Sequence, residues 1–313
     1  MIRWLVVGIG DITSKRAIPA ILAEPNSRLA GLVTRDPAKA APYGCPAWTD
    51  LAAALRQSDA DAVYVATPVV MHAPQTIAAL RSGRHVLCEK PMGMNHAEAL
   101  SMVRAAEEAG RTLGIAYYRR TYPKLIRARQ LIADGAIGQP VLAELNCHSW
   151  FQDEDGRRSW LLRPETSGGG PLYDIASHRI DILNWIFGQP RRVAAQLSNV
   201  VHRSAVEDSA TVLVEYDGGA RGIVDVRWHS RQNRDDCRIV GTLGEIRMSP
   251  LSGPRIEYPG GAEDLPVHGN VHYPLVENFV DAVEGRAELR ATGASSVWTD
   301  WVTERALSSD RAS

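Results

Sequence analysis

Cysteine is sparse in this chain of 313 residues, and the four that occur, Cys45, Cys88, Cys147 and Cys237, are scattered. Without Cys-x-x-Cys or Cys/His spacing, neither a disulfide scaffold nor a structural zinc site is implied, and no metal is expected. No uninterrupted apolar run reaches the roughly eighteen residues that cross a bilayer. The N-terminal stretch 1–8 is too short for a secretory signal and ends in glycine. The expected compartment is the cytoplasm, with no membrane partner. Neither sign of charge dominates, since 35 Lys and Arg stand against 36 Asp and Glu. The clustered basic excess of a general nucleic-acid binder is missing. Phenylalanine is scarce as well, with three against eight tryptophans. Tryptophan joins a flat apolar face to a polar N–H, and six of the eight (Trp150, Trp160, Trp185, Trp228, Trp298 and Trp301) follow residue 118.

What is present reads as a soluble α/β protein. The chain is long for one compact domain and suggests two. Short apolar runs at 5–7, 29–33, 62–66, 85–88 and 113–116 alternate with helix-like stretches at 15–23, 37–43, 50–57, 73–82 and 96–109. That rhythm predicts a parallel sheet with covering helices, a Rossmann-type domain over 1–118. Beyond it a helix is expected over 123–133. Alternating segments with Asp-Gly turns then predict an open, mainly antiparallel sheet, interrupted by a helix over 173–187. A further helix is expected at 273–285, and the last residues of the polar stretch 308–313 are expected to be disordered. The second domain is read as 119–313.

Gly8-Ile9-Gly10-Asp11-Ile12-Thr13 sits at the first strand–helix junction, where a dinucleotide fold places its glycine-rich turn. Gly8 permits the turn, Gly10 lets the backbone approach a pyrophosphate, and the helix N-terminus supplies amide donors. Thr13 replaces the third glycine of the fingerprint. At the end of the second strand stands Thr34-Arg35-Asp36. A guanidinium beside a hydroxyl suits a 2′-phosphate and favours NADP, while an inward Asp36 keeps NAD possible. Glu89-Lys90-Pro91 closes the fourth apolar run at the edge where such sheets bind ligands. Pro91 stops the strand, Lys90 is held to share a substrate oxygen's proton, and Glu89 could orient the lysine. Asp174 and His178 lie four residues apart, on one face of the expected helix, and follow the glycines Gly168-Gly169-Gly170, which permit close backbone approach to a ligand.

The ordered set of motifs resembles the glucose–fructose oxidoreductase / inositol dehydrogenase / MocA-like (Gfo/Idh/MocA) family. The likeness runs from Ala66-Thr67-Pro68 and His72 through Gly83-Arg84-His85-Val86-Leu87-Cys88-Glu89-Lys90-Pro91 to Gly168–His178, Glu207-Asp208-Ser209 and Gly241-Thr242-Leu243-Gly244. It implies that Lys90, Asp174 and His178 converge on the carbinol being oxidised, with His178 exchanging the proton. It adds Thr67, Pro68, His72 and Glu89 to the expected cofactor-binding set of Gly8, Gly10, Asp11, Ile12, Thr34, Arg35 and Lys90. Trp160 and Arg163 resemble positions at the cofactor or substrate rim, and His272-Tyr273 the entry to a substrate-contacting helix. The expected function is an NAD(P)-dependent oxidoreductase for a sugar, cyclitol or related polyhydroxylated alcohol or carbonyl. A redox-neutral NAD(P)-dependent glycosidase and a non-catalytic NADP sensor stand as alternatives. A homo-oligomer, dimer or tetramer, is expected through the C-terminal sheet.

Overall fold

In a computed structural model that describes residues 1–311, the chain divides into two compact units. The first is residues 1–118 with 268–297, and the second is 119–267 with the chain from 298 onward. In the first unit β1 (Ile2–Val7), β2 (Ser27–Val33), β3 (Ala47–Trp48), β4 (Ala62–Val65), β5 (His85–Cys88) and β6 (Leu113–Ile115) form one sheet. All its pairings are parallel and its order is β3-β2-β1-β4-β5-β6. Parallel strands covered on both faces need near-continuous apolar runs, and β4 and most of β5 are buried throughout. The connecting helices are α1 (Ile18–Ala23), α2 (Leu51–Gln57), α3 (His72–Arg81) and α4 (His96–Ala109). Side chains start two of them, since Asp50 accepts from the Ala53 N–H and Asn95 from the Glu98 N–H. The helix expected over 37–43 is instead two single 3₁₀ turns, Pro37–Lys39 and Ala41–Tyr43. Pro42 brings no N–H with which to continue a helix there.

The second unit begins with α5 (Pro123–Ala133), the long strand β7 (Pro140–Trp150), the single turn α6 (Pro164–Ser167) and α7 (Ser177–Phe187). Seven more strands follow: β8 (Pro190–Ser198), β9 (Ser209–Tyr216), β10 (Arg221–Arg227), β11 (His229–Gly241), β12 (Glu245–Met248), β13 (Arg255–Tyr258) and β14 (Gly261–Asp264). They join β7 in an eight-stranded sheet of order β14-β13-β12-β11-β7-β10-β9-β8. Only β7 and β10 pair in parallel, so the sheet is mainly antiparallel. Period-two burial sets its faces. Ala210, Val212 and Val214 of β9 and Val224 and Val226 of β10 are buried, while Thr211 and Leu213 are exposed. Helix α7 packs so closely on β10 that a Cβ at Gly222 would press into Leu183.

Two last helices complete the chain, α8 (Tyr273–Val283) and α9 (Gly293–Arg311). A single cut after residue 118 does not describe the packing. Leu275, Val276, Phe279 and Val280 of α8 share one core with Trp4, Ile18, Tyr64 and Leu87, because their i, i+1, i+4, i+5 spacing makes one apolar stripe. Helix α9 runs through the polar stretch as far as Arg311. Ala312 and Ser313, for which the sequence predicts disorder, lie outside the described residues. Among the described residues no helix is long and apolar enough to cross a membrane.

Candidate active site

The direction of strand order reverses between β1 and β4, and the crevice at such a reversal is where open α/β sheets take ligands. Gly8, just past β1, has φ +92°, and a Cβ there would lie 2.6 Å from the Ala66 carbonyl oxygen beyond β4. A Cβ at Gly10 would meet nothing within 4 Å. Thr13 in the third position is bonded back to the turn. Its buried hydroxyl accepts from the Gly10 N–H at 2.7 Å and donates to the Gly10 carbonyl at 2.9 Å, closing the loop on itself. Asp11 and Ile12 are exposed at the mouth of this turn, and Asp11 pairs with Lys15 at 2.7 Å. The open Gly10 face before a helical segment fits a pyrophosphate.

After β2, the Thr34 hydroxyl lies 3.3 Å from both the backbone N–H and the carbonyl oxygen of Asp36. The Asp36 carboxylate is turned to its own turn, where it accepts from the Ala38 N–H at 3.1 Å. Arg35 is exposed. One oxygen of the acidic group thus caps the turn, with the exposed Arg35 guanidinium beside it.

Beyond β4 and β5 the strand ends are tied together. His72, buried at the start of α3, places Nε2 2.9 Å from the Thr67 carbonyl and Nδ1 2.8 Å from the Pro91 carbonyl. Burial pushes its imidazole below the usual histidine range, and since both partners are carbonyls the neutral ring donates to one of them and packs against the other. The Thr67 hydroxyl donates to Gln75 at 2.7 Å. Glu89 touches Lys90 through the lysine's backbone N–H, which reaches Oε2 at 3.3 Å. The other carboxylate oxygen accepts from the Tyr64 hydroxyl at 2.8 Å and lies 3.2 Å from His272 Nε2. His272 is buried against this strand end, at the start of α8. Neither Tyr64 nor His272 can be placed beside Lys90 from sequence alone. Tyr64 reads as one more core residue, and His272 lies 183 positions from its partner.

In the second unit Asp174 and His178 do share a helical run, but not one regular α-helix. Leu172–Ala176 forms a π turn ahead of α7, with the Ser177 N–H reaching back to the Leu172 carbonyl. His178 is buried and Asp174 partly exposed, with Arg158 3.6 Å from its carboxylate. The preceding glycines answer a demand of packing. A Cβ at Gly168 would strike the Tyr173 ring, and one at Gly170 the Glu207 carbonyl oxygen. Glu207 also accepts from the Leu172 N–H at 3.0 Å and from the Gly170 N–H. This carboxylate, otherwise only a motif letter, caps the turn that carries Asp174. Trp160 packs against the cluster of Phe151, Leu161, Val206 and Trp228, and Arg163 is exposed. Both belong to the second unit, whereas the other expected cofactor residues belong to the first.

Strand order, glycine turn and strand-end lysine together define a Rossmann-type, nucleotide-dependent oxidoreductase fold. Residues 2–117 match the model of an oxidoreductase family with an NAD-binding Rossmann fold, and 125–247 match the GFO/IDH/MocA C-terminal domain. The chain belongs to the Gfo/Idh/MocA family of NAD(P)-dependent oxidoreductases. A 1,5-anhydro-D-fructose reductase of Ensifer adhaerens is 30% identical over 312 residues, 96% of this chain and 93% of that enzyme. An NADP(+)-specified D-xylose 1-dehydrogenase of Haloarcula marismortui is 28% identical over 268 residues, 81% of this chain and 73% of that one. The crystal structure of an aldose–aldose oxidoreductase from Caulobacter crescentus, complexed with glycerol, superposes with a TM-score of 0.89 at 25% identity, covering 99% of this chain and 98% of that one.

Proposed function

We propose that the protein passes hydride between NADP(H) and a sugar, cyclitol or related polyhydroxylated alcohol or carbonyl, with the cytoplasm as its compartment. Bound nicotinamide supplies the hydride donor or acceptor. Everything else falls to the chain. The open turn at Gly8, Gly10, Asp11 and Ile12 receives the pyrophosphate through its amides, and Thr34 with Arg35 receives the 2′-phosphate. Lys90 and His178 hold and exchange the proton of the substrate oxygen, and Asp174 accepts from a neighbouring hydroxyl. Trp160 and Arg163 are assigned to the rim of the same site.

The observation that carries this reading is the fixing of Lys90 at the carboxyl edge of a sheet of order β3-β2-β1-β4-β5-β6, between a bonded Glu89 and a Pro91 whose carbonyl lies 2.8 Å from buried His72. The carbohydrate substrates in the relatives' names support the substrate class. The test is cofactor reduction or oxidation by the pure protein, with NADP(H) and NAD(H) across a panel of sugars, anhydrosugars and cyclitols, followed by product analysis. The expected result is a stoichiometric change in the nicotinamide without glycosidic cleavage, faster with NADP(H). Sugar release with no net nicotinamide change would establish a glycosidase instead. Saturable NADPH binding with no turnover on any member of the panel would establish a sensor.

A further inference from the structure

We propose that His272 is a positioning residue for Lys90: with Tyr64 it clamps the Glu89 carboxylate, and that carboxylate fixes the backbone N–H of Lys90. The inference rests on the reading of Lys90 as a proton-handling residue. It begins from where the chain returns. The segment before α8 is pinned to the first helical turn, since Arg16 donates to the Gly269 carbonyl at 3.2 Å and Asn270 Nδ2 to the Arg16 carbonyl at 2.8 Å. Asn270 Oδ1 then accepts the His272 N–H at 3.1 Å. The imidazole lies against the Tyr118 ring, with centroids 5.3 Å apart, so its orientation is set from two sides.

The chemistry of the clamp follows from the partners. A carboxylate only accepts, so Nε2 of His272 carries the proton it shares with Glu89. Nδ1 is buried and has no hydrogen-bond partner. The ring's hydrogen bond is therefore made through Nε2 alone. The Glu89 side chain is 12% exposed. Four groups face it: Tyr64 from β4, His272 at the start of α8, Lys90 beside it, and His72 from α3. Burial pushes the Glu89 carboxyl up, but the His272 and Tyr64 donors and the Lys90 charge outweigh that and hold it below the usual glutamate range. With the carboxylate ionised and its Oε1 occupied by two donors, Oε2 is directed at the Lys90 N–H. The lysine's backbone is thereby fixed at the residue whose side chain must meet the substrate.

The test uses the full chain without cofactor and follows the Glu89 carboxyl carbon by pH titration, its signal identified by its loss in Glu89→Gln. Hydrogen exchange of the Lys90 amide is read in the same samples. His272→Phe keeps the ring against Tyr118 and removes the N–H, while His272→Gln returns an N–H near the Nε2 position. In His272→Phe the Glu89 titration is expected to move to higher pH and the Lys90 amide to exchange about tenfold faster. His272→Gln should restore both, with NADPH affinity, read by fluorescence, within about threefold of wild type throughout. Tyr64→Phe reads the same carboxylate from the other side and should shift it in the same direction, should His272→Phe fail to fold. An unchanged Glu89 titration and unchanged Lys90 exchange in the folded variants would overturn the proposal. The role of Lys90 itself is judged apart, by turnover of Lys90→Met, so the failure of either claim leaves the other readable.

Discussion

At Asp36 one hydrogen bond bears on the choice of cofactor. Its carboxylate accepts the Ala38 N–H through Oδ1, which directs it to its own turn, while exposed Arg35 can turn to a phosphate. Arg35→Ser is therefore expected to weaken NADPH binding roughly tenfold to a hundredfold, the worth of a charge-assisted pair, and to leave NADH binding near its starting value. Fluorescence titration with both nucleotides checks this, and equal losses for the two would contradict it. The tryptophans teach a different lesson. Six of the eight lie in the second half of the chain. Trp150, Trp185 and Trp301 lie under the guanidinium groups of Arg231, Arg129 and Arg305, and Trp228 is core. Residue type announced flat aromatic faces but could not say which cations of the same chain would cover them. Lys90 was legible because a proline and a buried strand fix its place in sequence. His272 was not, because its partner is met only through folding.

Between Gly168 and Phe187 the sequence announces a helix and a flexible approach to it, and the helix is there. The glycines proved to be demands of packing against Tyr173 and Glu207, and the π turn at Asp174 follows from no spacing rule. Removing the cap by Glu207→Ala strands the Leu172 and Gly170 N–H groups and should cost about 1–3 kcal/mol of stability. The pH dependence has a definite sign. Burial raises the Glu207 carboxyl above the ordinary glutamate range, so the folded state favours its protonated form. Stability from this group is complete below the unfolded value of about 4.3 and declines as pH rises from there through the raised value. Glu207→Gln cannot titrate, so the wild-type advantage over it should shrink with rising pH in that window. Thermal melting of both proteins across the acid range measures it, and a widening gap would refute the assignment. Among the strands, β7, β9 and β10 were legible from alternating burial. β8, β13 and β14 were not, since their exposed, polar residues give little apolar period, and β11 opens with a charged run of the same kind.

For the molecule as a whole, the alternation of strands and helices made the parallel sheet readable, and turn signals made the second sheet readable as antiparallel. The return of 268–297 to the first unit was not readable, because an amphipathic helix records its apolar stripe but not the core that receives it. The face of the second sheet opposite α7 carries exposed Leu213 beside half-buried Leu142 and Ile223, among linked polar pairs that include His148 with Asp225 and Arg238 with Glu144 and Glu245. We assign it to contact with a second copy of the chain. Leu213→Glu should lower the assembly state seen by sedimentation velocity while leaving the melting of the fold nearly intact, and a wild-type monomer would dispose of the idea. The central claim is that Lys90 handles a substrate proton at the edge of a nicotinamide-binding sheet. Its most direct test compares wild type and Lys90→Met, for NADPH affinity and for turnover on whichever panel sugar the wild type accepts. The account predicts unchanged binding with turnover reduced at least about a hundredfold, and wild-type turnover by the methionine variant would contradict it.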